Sequence, residues 1–142
     1  FVIVGAEGWL NSEFYTLIKS LVSKKKIILL GHIKDEDLPF LYSGAKLFIY
    51  PSIYEGFGLP ILEAFASGVP VITSNRSSIG EIVGKSALIV NPLDIEEIYN
   101  GFLNIIYNPS YEKKLTHAGL LRAKKYTWNK TAQLTNLIYQ KL

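Results

Sequence analysis

Tyr50-Pro51-Ser52-Ile53-Tyr54-Glu55-Gly56-Phe57-Gly58-Leu59-Pro60-Ile61-Leu62-Glu63-Ala64 carries the chain from a short aromatic and β-branched run into an amphipathic stretch. The run ends at Pro51, which has no amide to give to a strand ladder. Gly56 and Gly58 punctuate the loop, and Pro60 suits the first turn of a helix, because the fixed φ of proline fits there and its missing donor is not needed. The segment therefore predicts strand, loop and helix, with a helix over 60–67.

The same alternation extends in both directions. Val2 to Val4, Ile27 to Leu30, Leu47 to Tyr50, Val69 to Thr73 and Ala87 to Val90 are short apolar runs bounded by Gly, Pro, Asn or Ser, and predict buried strands. Between them, 13–22, 35–44 and 60–67 have helical spacing, with Leu38, Leu41 and Tyr42 on one face of the second. Strands alternating with helical crossovers specify a doubly wound parallel α/β sheet, whose ligand crevice lies beyond the carboxyl ends of the strands. From Asp94 the pattern turns helical throughout, over 94–107, 109–125 and 127 to the end, broken at Asn108-Pro109.

The chain has 142 residues, 49% of them hydrophobic, a size and composition that predict one domain with its own core. It contains no Met, and its first residues already form a strand-like run, which predicts a natural start upstream of Phe1. With no Cys, disulfides, thiol nucleophiles and cysteine metal sites are excluded. The apolar runs fall far below the roughly 18 to 20 residues that span a bilayer. The net charge of +3 suits phosphorylated ligands or an anionic membrane surface and gives no sign of nucleic acid. Lys24-Lys25-Lys26 follows a helical stretch and fits a solvated turn beside the negative end of its dipole.

Chemistry concentrates in the glycine loop. Two glycines permit close backbone approach to a ligand, and a helix beginning near Pro60 aims free N–H groups and a positive dipole end at it, the arrangement that binds anions. Glu55 precedes the glycines and Glu63 is expected in the first helical turn, so that Glu55 addresses a sugar and Glu63 a ribose diol through hydroxyl-to-carboxylate hydrogen bonds. A dinucleotide fingerprint does not fit, because Ile61 stands where its third glycine belongs, and no Gly-Lys-Ser/Thr follows to make a P-loop. Among the aromatics, Tyr50 and Phe65 fit the core, with Tyr54 and Phe57 the better candidates for exposure. Ser77-Ser78-Ile79-Gly80-Glu81 has the look of a capping box, a structural role. His32 and His117 are too few and too scattered for a metal site.

The run Glu55-Gly56-Phe57-Gly58-Leu59-Pro60-Ile61-Leu62-Glu63-Ala64 resembles the Glu-x7-Glu signature of family 4 retaining glycosyltransferases with the GT-B fold. Gly31-His32-Ile33, Phe48 to Ser52, Gly68 to Asn75, Glu81 to Gly84 and Tyr126-Thr127-Trp128 resemble the family's flanking motifs in the expected order. The resemblance implies the Rossmann-like C-terminal half of a GT-B fold, with a nucleotide diphosphate sugar as donor substrate and neither cofactor nor metal. It implies that Glu55 serves the catalytic centre as a sugar-positioning or charge-stabilising group. The amides of Gly56, Phe57, Gly58 and Leu59 would meet the sugar and diphosphate, Glu63 the ribose, and His32-Ile33 the base.

The family's diphosphate-clamping Arg and Lys and its acceptor-binding N-terminal domain belong to segments preceding Phe1 in this numbering, so this chain alone is expected to be nearly inactive. The strip Trp128, Leu134, Leu137 and Ile138 would turn toward that domain and is expected to be exposed here. By the same resemblance the parent enzyme is cytoplasmic, works at the inner face of the membrane, and serves polysaccharide or glycolipid synthesis. Two alternatives stand beside a transferase. One is a non-catalytic nucleotide-sugar-binding subunit of a split enzyme; the other is a nucleotide-sugar epimerase of GT-B type, against which the Glu-x7-Glu signature argues.

Overall fold

The β-branched runs form five short strands and the amphipathic stretches form seven helices among the described residues of the computed structural model, which are 1–6 and 12–141. The backbone divides into two compact units, Phe1–Leu38 and Pro39–Leu142.

In the first unit, β1 (Val2–Val4) and β2 (Ile28–Gly31) pair in parallel, joined through α1 (Ser12–Ser23). Lys24 to Lys26 turn the chain out of α1, with the Lys26 amide donating to the Leu21 carbonyl at 2.9 Å. The strands were expected to be buried, and they are not: Val2, Val4, Ile28, Leu29 and Leu30 are exposed. A parallel pair buries its apolar side chains only when both faces are covered, and one helix with two strands supplies too little surface for that. Among the described residues of this unit, Ile18 of α1 is the buried hydrophobic one.

The second unit is built on a three-stranded parallel sheet in the order β3-β4-β5, from β3 (Phe48–Tyr50), β4 (Val71–Thr73) and β5 (Leu88–Ile89). These elements keep the expected order but are shorter than the apolar runs, and strand pairing forms two parallel sheets in place of one continuous sheet. Successive strand residues point to opposite faces, so each run feeds two cores. On one face, Phe48, Tyr50, Val71 and Ile89 pack with Ile61, Ala64 and Phe65 of α3 (Leu59–Ala66) and Ile79 and Val83 of α4 (Ile79–Val83). On the other, Ile49, Ile72, Leu88 and Val90 pack with Ile98, Phe102 and Ile105 of α5 (Ile95–Tyr107) and Leu115 of α6 (Pro109–Ala123). Helices on both faces give the double winding that the sequence predicts.

The remaining helices are α2 (Leu38–Ser43), shorter than expected, and α7 (Trp128–Tyr139). Side-chain caps fix the starts of the last three. Asp94, Asn108 and Thr127 accept hydrogen bonds from the amides of Glu97, Tyr111 and Lys130, each worth about 1 kcal/mol. The apolar strip of α7 is exposed as expected, with Trp128 78% accessible. Among the described residues no helix is long and apolar enough to cross a membrane.

At Gly119, α6 packs closely on α3: a Cβ built on it would lie 2.6 Å from Cδ1 of Phe65, a fully buried ring with no room to retreat. Gly119→Ala is expected to destabilise the second unit by about 1–3 kcal/mol through overpacking. Chemical denaturation should show an earlier midpoint at an unchanged slope, and an unmoved midpoint would mean that the helix pair adjusts freely.

Candidate functional site

The loop between β3 and α3 emerges at the carboxyl end of the sheet, where doubly wound folds place their ligands. Its conformation is set by hydrogen bonds from β4 and the segment that follows it. Thr73 Oγ1 donates to the Tyr50 carbonyl at 2.7 Å and Ser74 Oγ to the Ser52 carbonyl at 2.6 Å, both from buried residues. Ser77 and Ser78 then donate their hydroxyls to the Glu55 carbonyl at 2.6 and 2.9 Å, and Ser78 also reaches the Phe57 carbonyl at 3.3 Å. The capping box expected at Ser77 to Glu81 does not form: Ser78 precedes α4 with helical φ and ψ and makes no side-chain cap. Its hydroxyl is spent on the glycine loop.

Glu55 is half-buried, and its Oε1 accepts from Tyr50 OH at 2.6 Å and Ser52 Oγ at 2.8 Å. Gly58 occupies the position before α3 with φ +99°, a left-handed conformation that costs an L-residue roughly 1–2 kcal/mol. That turn ends the loop with the N–H groups of Gly56, Phe57, Gly58 and Leu59 making no backbone hydrogen bond among the described residues. A Cβ at Gly56 would meet nothing within 4 Å, so the space beside its Cα is open. Phe57 and Tyr54 are exposed, Tyr54 at 81%, as the sequence suggests, while Phe65 is in the core and Tyr50 half-buried.

Glu63 differs from expectation. The helix begins at Leu59, one residue early, and has no acidic residue in its first turn, so Glu63 lies in the second. Its Oε2 accepts from Tyr42 OH of α2 at 3.1 Å. Burial, followed by the Glu63 charge and this hydrogen bond, pushes the Tyr42 hydroxyl pKa well above the ordinary value for tyrosine. Tyr50 shifts the same way, first through burial and then through its hydrogen bond to Glu55.

The loop also leans on the C-terminal helices. The Phe57 ring meets Tyr126 edge to face, with centroids 6.2 Å apart at 78°. Arg122 lies 5.4 Å from the Tyr126 ring centroid, donates to its hydroxyl at 3.0 Å, and donates to the carbonyls of Ile82 (2.7 Å) and Glu81. Beside the loop, an open cleft of about 590 Å³ is lined by Asn75, Arg76, Ser77, Asn91 and Glu97.

In the first unit, His32 and Ile33 follow β2 directly, again at a strand's carboxyl end, with His32 exposed in a shallow depression shared with Lys34, Asp35 and Glu36. His117 lies on the exposed side of α6. Among the described residues no group of three or more His, Asp or Glu side chains stands close enough to hold a metal ion. Sequence reading missed Tyr42, Ser52, Ser74, Ser77 and Ser78, whose partners mostly lie some twenty residues away.

This chain, with its parallel sheets, C-terminal helices and a loop of unpaired amides at the carboxyl end of one sheet, has an α/β fold found in GT-B glycosyltransferases. Residues 1–122 match the family described as glycosyl transferases group 1, and the chain belongs to that family. It is 41% identical over 136 residues to O-antigen chain mannosyltransferase B of Escherichia coli, covering 95% of this chain and 36% of that protein. Anabaena HepE, solved in complex with UDP and glucose, superposes with a TM-score of 0.88 at 20% identity, over 99% of this chain and 40% of HepE. The C-terminal domain of a glycosyl transferase group 1 family protein from Francisella tularensis superposes at 0.74 with 25% identity, over 87% and 67% of the two chains. This chain thus spans about a third of the length of its E. coli relative.

The raised pKa of Tyr42 and of Tyr50 means that the folded state favours their neutral hydroxyls. Their contribution to stability is whole below the unfolded value of 10.0 and is lost as pH rises above it. Unfolding titrations between pH 8 and 11 should therefore show a steeper loss of stability in wild type than in Tyr42→Phe. Parallel curves would show that the hydroxyl titrates as freely in the folded state as in the unfolded one.

Proposed function

We infer that this chain is the nucleotide-sugar-binding half of a retaining family 4 glycosyltransferase that moves a sugar from a nucleoside diphosphate donor to a glycan or glycolipid acceptor. The observation that carries this reading is the set of amides from Gly56 to Leu59, without backbone partners, at the start of α3 and next to the fixed carboxylate of Glu55. The chemical demand in such a transfer is to stabilise a departing diphosphate, and aligned backbone donors at a helix N-terminus do so without a metal. Glu55 then accepts a hydroxyl of the donor sugar, and Glu63, steadied by Tyr42, accepts the ribose diol. His32 and Ile33 take the base by the family resemblance.

The name of the E. coli relative supports mannose as the transferred sugar and a polysaccharide chain as the acceptor, and the UDP held by HepE supports a nucleotide at this fold's site. The share of the relative's length that this chain covers supports an acceptor-binding domain supplied by a further segment. The enzyme is cytoplasmic in this reading and works at the inner face of the membrane, where a net charge of +3 favours an anionic surface.

Calorimetric titration with UDP-, GDP- and ADP-sugars tests the reading on the complete polypeptide that carries this chain. One nucleotide sugar should bind selectively, and Glu63→Ala should weaken it about tenfold or more, as expected for losing hydrogen bonds to a charged group. Absence of binding to all three, or indifference to the substitution, would remove the donor-site assignment.

A further inference from the structure

Glu55 is held at both ends by groups that are themselves anchored. Its backbone carbonyl takes the hydroxyls of Ser77 and Ser78, and its carboxylate takes those of Tyr50 and Ser52. The two carboxylate donors converge on a single atom, Oε1, at 2.6 and 2.8 Å. A carboxylate oxygen offers about two lone-pair directions, so Oε1 is saturated, while Oε2 accepts nothing among the described residues.

Neither donor is loosely placed. The Tyr50 ring stacks on Phe48 with centroids 5.6 Å apart, and the backbone carbonyls of Tyr50 and Ser52 are pinned by the buried Thr73 and Ser74. A tyrosine hydroxyl is protonated through the neutral range, and burial raises the Tyr50 pKa further above its ordinary value of 10.0, so it remains a donor.

We propose that Tyr50 and Ser52 are positioning residues that occupy Oε1 of Glu55 and leave Oε2 as its one acceptor for a donor-sugar hydroxyl, so that recognition of the sugar, and not of the nucleotide, depends on the Tyr50 and Ser52 hydroxyls. The proposal rests on the donor-site reading above and adds which side chains set sugar selectivity. It also defines what Glu55 does: with one oxygen saturated and the backbone clamped, it acts as a fixed acceptor.

The test compares Kd for GDP against GDP-mannose and for UDP against UDP-glucose in the complete polypeptide, for wild type, Tyr50→Phe, Ser52→Ala and Glu55→Gln, with thermal unfolding of each variant as a check on folding. Tyr50→Phe and Ser52→Ala should each weaken the nucleotide sugar roughly tenfold while the bare nucleotide stays within about a factor of two. In steady state the donor KM should rise more than kcat falls. Glu55→Gln should show the same selective loss. Equal loss of nucleotide and nucleotide sugar would overturn the proposal in favour of a structural role for the two hydroxyls. So would an unchanged sugar response in Tyr50→Phe and Ser52→Ala beside a clear loss in Glu55→Gln. Failure of wild type to bind any of the four ligands or an ADP-sugar would instead remove the donor site itself.

Discussion

The hydroxyls of Ser77 and Ser78 on the carbonyl of Glu55 connect the segment after β4 to the glycine loop after β3, and the geometry of the site depends on that connection. A loop with two glycines has many conformations available, and fixing each residue costs roughly 1–2 kcal/mol of entropy. Hydrogen bonds worth about 0.5–1.5 kcal/mol apiece offset this only when several act together. Here Thr73, Ser74, Ser77 and Ser78 each contribute one or more, from consecutive turns of chain leaving the buried strand β4. The sheet is parallel, so both strands deliver their outgoing loops to the same edge, and the clamp forms between neighbours.

A second support comes from the C-terminal helices. Arg122 ties the end of α6 to the carbonyls that close α4, and Tyr126 carries that anchorage to the ring of Phe57. Lys46, just before β3, meets both carboxylate oxygens of Glu112 at 2.7 Å. That exposed pair is worth at most about 1 kcal/mol. The buried contacts of Phe65 with α6 matter more for holding the loop's base, because α3 can present its amides only while its opposite face is packed.

The order and kind of the elements are legible in the sequence because proline, glycine and asparagine punctuate apolar runs of distinct period. Pro60 marks α3, and Asn108-Pro109 separates α5 from α6. Glu55 and the glycines are legible as a candidate site because three features coincide there: a strand end, a close-approach loop and a helix start. The serines are not, since Ser77 and Ser78 match a local capping pattern whereas their partners lie 22 and 23 residues away. Tyr42 is hidden for the same reason, its apolar ring fitting a helix face while its hydroxyl serves Glu63. The exposure of β1 and β2 is invisible to periodicity, which reports what a strand is suited to bury and not what is available to cover it.

In the proposed function, the backbone from Gly56 to Leu59 receives a diphosphate. Recording backbone amide chemical shifts of the isotope-labelled protein during titration with its nucleoside diphosphate tests this directly. The amides of Gly56, Phe57, Gly58 and Leu59 should shift most and saturate together with binding. Saturable shifts elsewhere, with these four amides unmoved, would contradict it.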